Sequence, residues 1–396
     1  MFMEFTTMRS LLGALALLAG FTIALAPGQA AQSSGKPSPA AIVVPSQAGK
    51  VDGRPGNSDR YMWEVFTSAV RPAVTPGKAV FETWATDEDI YQANPVWPTA
   101  GAERPIRASR RQTNFHLAGS DLPPCGTPEN PWVANFPLTG CLAEVVYRDR
   151  LQFDYIVGNG LNTKAGAAAF YASPRVVNFP GASLALKADW VPLTDLLQWV
   201  PELGSLENAR RAYYTVVSEG VEYGLVAMHI STAANPAWVW GTFEHRNNPG
   251  RCDATGCYDS FGARRPVVLP DEKQSNTQYG ACTKTPELKR LMQAAGLSGV
   301  WENYCLKSTQ VSFTNAAGKP TVLTNSVTER LSVNGELIGS CISCHAYAAF
   351  GADGAPTSAA LTMLAYNPVG KPIASPFADA KPNDFMWGII NFLNSN

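Results

Sequence analysis

The sequence predicts an α+β protein: a central antiparallel β-sheet domain with flanking helices and a C-terminal segment that carries a CxxCH motif. Three observations lead there. Between residues 182 and 246, short runs rich in β-branched and aromatic residues are separated by Gly, Pro and Asn. Apolar residues at helical spacing occur on either side of these runs. Near the end of the chain stands Cys341-Ile342-Ser343-Cys344-His345.

Taken in order, the chain opens with Arg9, the apolar run "LLGALALLAGFTIALA" and the small residues Gly28, Ala30 and Ala31. That is the layout of a secretory signal peptide over 1–30, cut near Ala30; an uncleaved anchor is the competing reading, but the run is short for a bilayer span. Residues 31–58 are rich in Ser, Pro, Gly and Ala and read as a flexible leader. A single domain then spans 59–396, with its CxxCH-bearing part from about 330. Asp59 is placed to cap a helix "RYMWEVFTSAV", whose Trp63, Phe66 and Val70 share a face and which Pro72 and Pro76 end. "RLQFDYIVGNG" reads as a second helix closed by Gly158 or Gly160. "ASLALKADWVPL", "AYYTVVS", "YGLVAMHIST" and "AWVWGTFEHR" read as strands, followed by the helix "TPELKRLMQAAG" and, at the end, a helix "NDFMWGIINFL".

Composition narrows the class. With 396 residues, 45% hydrophobic and 16% charged, the chain is long enough to bury a substantial core. A formal net charge of −1 leaves no basic excess for neutralising phosphates, which argues against nucleic-acid binding. After the N-terminal run nothing is apolar enough to span a membrane. The expected location is the periplasm, or another exported compartment.

Eight cysteines suit such an oxidising compartment. Two belong to CxxCH. The other six, Cys125, Cys141, Cys252, Cys257, Cys282 and Cys305, are expected to form sequential disulfides 125–141, 252–257 and 282–305, although six cysteines allow fifteen connectivities. No second CxxC stands at an interval suited to zinc.

The CxxCH spacing is that of covalent haem attachment. Two thiols must reach the two vinyl groups of one porphyrin while an imidazole reaches the iron from the same side, and on a helical turn positions i, i+3 and i+4 share a face. Cys341 and Cys344 are therefore the expected attachment residues for one haem c, and His345 the proximal iron ligand, its other nitrogen donating to a backbone carbonyl. A thioredoxin-like redox pair is the rival, but no βαβ pattern brackets the motif. Only about fifty residues follow it, too few for a small cytochrome c domain, so the upstream sheet must wall the haem.

Candidates for the distal ligand are His229 in "VAMHIST", His245 in "TFEHRNN" and Met363 in "LTMLAYN", with Met386 behind them; an open distal position is the alternative. By alternation Leu225, Ala227 and His229 share one face of a strand, and Val239, Gly241, Phe243 and His245 one face of the next, with Trp240 on the opposite side. Each histidine has a plainer reading as a core residue bonded to a neighbour such as Glu244 or Asp189. His116 reads as structural or exposed. Lys187 is a charge in an apolar strand, suited to an acidic neighbour, to a haem propionate or to snorkelling.

Seven segments, "DRYMWEVFTSAVRPA", "VFETWATDEDIY", "FDYIVGNGL", "LALKADWVPL", "YGLVAMHIS", "WVWGTFEHRNN" and "SCISCHAYA", resemble in order exported bacterial monohaem cytochrome c family proteins of unassigned function. The resemblance implies one covalent haem inside a larger domain and an exported location, and brings no assigned reaction. The family tends to carry a further histidine shortly after the one matching His229; here "STAANP" lacks it.

Two functions follow as expectations. The first is a periplasmic c-type cytochrome that exchanges one electron with a redox partner protein or a small-molecule donor or acceptor. The second is a haem-dependent, peroxidase-like oxidoreductase with an open distal site, where His229, His245 or Lys187 would handle protons and act as the catalytic groups. A gas-binding haem sensor ranks third, since no signalling domain is attached.

Overall fold

In the computed structural model the structure describes residues 57–388 apart from 103, 107, 111–140, 249–250, 253–255, 265–281, 298, 328–331, 334–335, 338, 358–368 and 375–376. The signal peptide, the leader up to residue 56, His116, Cys125 and Met363 thus lie outside the described residues, while Asn57 and Ser58, expected in the leader, belong to the first helix. All described residues belong to one compact unit.

The first helix, α1 (Asn57–Val70), buries Met62, Trp63, Phe66 and Val70 against the sheet. It begins two residues before Asp59, whose carboxylate, rather than capping, accepts from the Ser260 backbone N–H at 2.9 Å. Short elements follow: β1 (Ala85–Thr86), α2 (Asp87–Ile90) and β2 (Ala108–Arg110). Then come β3 (Cys141–Arg148), α3 (Arg150–Gly158), α4 (Lys164–Tyr171), β4 (Leu184–Pro192), α5 (Leu193–Trp199) and α6 (Leu206–Ala212). The centre is completed by β5 (Thr215–Ser218), β6 (Val221–Thr232), β7 (Val239–His245), α7 (Pro286–Ala294) and β8 (Tyr304–Gln310). Helix α7 starts as its sequence requires, with Thr285 accepting from Leu288 N–H and Pro286 in the first turn, and Gly296 beyond its end takes φ +71°.

One eight-stranded antiparallel sheet runs β1-β3-β4-β6-β7-β8, with β2 also paired to β3 and β5 to β6. The α+β class with a mainly antiparallel sheet is therefore as the sequence predicts. Strands β3 and β8 escape the sequence reading: in β3 Glu144 interrupts and Arg148 ends an apolar run, and in β8 three apolar residues are followed by the polar Lys307, Ser308, Thr309 and Gln310.

One face of the sheet is apolar. Leu184, Leu186, Ala188, Trp190, Leu225, Met228, Ile230, Val239 and Phe243 pack there with Trp63, Phe66, Leu288 and Met292. Trp63 lies edge-on to Phe243 with ring centroids 4.9 Å apart, and a Cβ on Gly241 would come within 2.4 Å of Met62. The alternation expected for β6 fails at one place. The register with β4 slips between Asp189 and Trp190, so Leu225 joins Met228 in this core while Val226 and Ala227 pack with Leu193, Leu196 and Val327 in another.

The opposite face is polar through its middle. Cross-strand partners form a row Val146, Lys187, His229, Thr242, Ser308, and beside it a row Arg148, Ala185, Ser231, Trp240, Gln310. The C-terminal part adds the two-stranded β9 (Ser332–Val333) and β10 (Glu336–Leu337), and packs α8 (Cys341–Ala346) and the pair β11 (Ala349–Phe350) and β12 (Lys381–Pro382) against the second row. The helix expected from Asn383 is absent over Asn383–Trp387, which form a turn. Disulfides Cys252–Cys257 and Cys282–Cys305 are present as expected. No helix among the described residues is long and apolar enough to cross a membrane.

Candidate functional site

The motif helix α8 is pinned before it begins. Ser340 caps it by accepting from Ser343 N–H, and Gln310 on β8 holds both sides of this start: its Nε2 donates to Ser340 Oγ at 2.7 Å and its Oε1 accepts from Ile342 N–H at 3.0 Å. Ile342 is fully buried, Ser343 Oγ donates to the Gly370 carbonyl at 2.7 Å, and of the motif residues Cys344 and His345 lie on the partly exposed side of the helix. Cys341 is buried and Cys344 half-buried, both as thiols. Trp387 Nε1 donates to the Cys344 carbonyl at 3.1 Å, closing the far end.

His345 is oriented from two sides. Its Nδ1 lies 2.8 Å from the Phe385 carbonyl oxygen. A carbonyl only accepts, so Nδ1 carries the proton and Nε2 keeps its lone pair, the tautomer that a metal-binding imidazole needs. Trp240 packs its ring on that of His345 with centroids 4.5 Å apart.

The Phe385 carbonyl is presented by an unusual turn. Asp384 and Phe385 have φ of 45° and 66°, and Trp238 has φ 60°; such angles are uncommon for residues other than Gly and cost about 1–3 kcal/mol each. The three are tied together. Asp384 accepts from Trp238 Nε1 at 3.2 Å and from Phe179 N–H at 2.7 Å, while Asn383 N–H donates to the Ala348 carbonyl at 2.8 Å just past α8.

Sequence-derived candidates separate cleanly on this frame. His229 shares a sheet face with Trp240: it sits opposite Thr242, so Trp240 is its diagonal neighbour at about 7–8 Å. Its Nδ1 is 3.1 Å from Thr242 Oγ1 and its Nε2 is 3.6 Å from Oδ2 of the wholly buried Asp189. Lys187, next in the row, pairs with Glu144 at 3.2 Å. His245 is on the other face, five residues beyond Trp240 and so roughly 17 Å further along the strand. There its Nε2 donates to the Ala212 carbonyl at 3.0 Å, its Nδ1 accepts from Asn247 N–H, and its ring stacks on Tyr213. Burial lowers it to about 3, so it is a neutral core histidine. Met386 is buried beside the Arg148 guanidinium, which pairs with Asp87.

Gln310, Thr242, Asp384, Phe385 and Trp387 are the site residues that the sequence reading misses. Gln310 lies in an unread strand, and nothing in "PNDFMW" announces two consecutive left-handed residues. Among the described residues no group of three or more His, Cys, Asp or Glu is arranged to hold a bare metal ion, which is no obstacle to haem, since the porphyrin brings four ligands of its own. The residues present fit that group: two thiols and an Nε2 lone pair on one short helix, backed by an indole. No family model, no curated protein and no solved structure matches the chain.

Proposed function

We propose that the chain is an exported monohaem c-type cytochrome that passes single electrons to and from a partner protein or small molecule. The observation that carries this reading is the His345 tautomer fixed by the Phe385 carbonyl on the helix that holds Cys341 and Cys344. In this reading Cys341 and Cys344 would form thioethers with haem c, His345 Nε2 would bind its iron, and the haem would supply one-electron redox chemistry. The chain's own residues do the rest. Gln310 and Ser340 hold α8 in place, Ile342 and Trp240 exclude water on the inner side of His345, and the Phe385 carbonyl makes the imidazole a stronger donor.

A second reading, the haem-dependent oxidoreductase, is favoured by one specific observation. Asp189, His229 and Thr242 form a connected polar group on the same sheet face as Trp240. Such a group can accept a proton on His229 and hold the resulting charge against a buried carboxylate. Its place beside the site suits acid–base work next to an open coordination position.

The test is the optical spectrum of the protein made with haem-maturation machinery, reduced with and without carbon monoxide. A covalent haem spectrum that the gas leaves unchanged supports the carrier. A spectrum that shifts on adding the gas moves the His229 reading ahead, and no haem spectrum at all removes both.

A further inference from the structure

We propose that Asp384 is a positioning residue for the iron ligand His345, acting through the turn that aims the Phe385 carbonyl. The inference rests on the haem reading above and deepens it. Phe385 is held at φ 66°, a conformation that a bulky side chain does not adopt without support. Asp tolerates the left-handed region better, and at φ 45° it occupies the preceding position. Its two carboxylate oxygens are each used: Oδ1 takes the Trp238 indole N–H at 3.2 Å and Oδ2 the Phe179 backbone N–H at 2.7 Å. These donors come from the segment before β4 and from the start of β7, both outside the C-terminal part. Asp384 therefore fastens the turn to the sheet domain, and the turn in turn fixes the acceptor 2.8 Å from His345 Nδ1.

The chemical consequence has a sign. While the Phe385 carbonyl accepts from Nδ1–H, the imidazole has partial imidazolate character and favours the oxidised iron. If the turn relaxes, the acceptor moves off, the donor weakens and the reduced state gains.

The experiment compares haem-loaded wild type, D384A, D384G and D384N by redox titration and by hydrogen exchange of the His345 Nδ1–H. D384A and D384G should raise the reduced-to-oxidised ratio at a fixed poise about tenfold, equivalent to a midpoint about 59 mV higher for a one-electron couple. Both should also exchange the ring proton at least tenfold faster. D384N, which keeps one acceptor oxygen and tolerates the left-handed region, should fall between and serves if the others fold poorly. A lowered melting temperature with midpoint and exchange unchanged in all three would overturn the proposal and leave Asp384 a scaffold residue. Wild type without a haem spectrum would overturn the reading beneath it, and that failure is seen before any variant is made.

Discussion

His345 donates from Nδ1 to a carbonyl at 2.8 Å, which puts the ring's lone pair on Nε2, whereas His245 donates from Nε2 to Ala212 and accepts at Nδ1 from Asn247. The difference predicts a pH dependence for His245. Burial lowers it to about 3, so below pH 6.5 the unfolded chain takes up a proton that the folded chain does not. Stability from this residue is complete above the unfolded value and is lost as pH falls toward 3, at about 1.4 kcal/mol per pH unit. Asp149 works the other way. Burial raises it to about 7, so between about pH 4 and 7 the folded chain holds the extra proton and its contribution declines as pH rises. The useful quantity is therefore a difference: H245F, measured by denaturant unfolding from pH 7 to 4, should lose about 1–3 kcal/mol at pH 7 and show an acid slope shallower than wild type by about 1.4 kcal/mol per unit. Parallel curves for the two proteins would contradict the assignment of His245 as a neutral core residue.

Two contacts between elements, one under the site and one on the opposite face of the sheet, can be tested separately. The first is Gln310 on β8, which touches both the cap and the first turn of α8. In Q310L the Ser340 hydroxyl loses one of its donors while keeping Ser343, and the Ile342 N–H loses its acceptor; a buried unsatisfied donor costs about 1–3 kcal/mol. The yield of haem-loaded protein should fall with it, read as haem absorbance per mole of polypeptide; an undiminished yield would show that α8 needs no hold from the sheet. The second is the approach of α1 to β7 at Gly241, where an added methyl would meet the Met62 side chain. G241A should destabilise by about 1–3 kcal/mol through overpacking while leaving the haem spectrum unchanged, because the insult is on the apolar face and Trp240 is on the other. A changed spectrum in G241A would mean that the faces are mechanically coupled.

Across the whole molecule, what the sequence revealed depended on how local the determining interaction is. Strands β4 to β7 are readable because their alternation and turn residues are contained in each segment, and α7 because Leu288, Leu291 and Met292 share one side and Gly296 marks its end. Alternation misplaces Leu225 because the slip between β4 and β6 is a property of the pair and not of either strand. The CxxCH helix was legible as a motif, as was the expectation of a carbonyl on Nδ1 of His345. Its supports were not: Gln310 is 32 residues from Ile342 and Phe385 is 40 from His345. Nor could alternation say that His229 and His245, on adjacent strands, would lie on opposite faces of one sheet.

Every role proposed for the site requires a haem bound covalently through Cys341 and Cys344. Its most direct test is acid–acetone extraction of the protein made with haem-maturation machinery, followed by a pyridine haemochrome spectrum of the residue, for wild type and for the C341A/C344A variant. Haem should stay with the wild-type polypeptide through extraction and leave the double variant. Haem that is wholly extracted from wild type, or never acquired by it, would contradict the account.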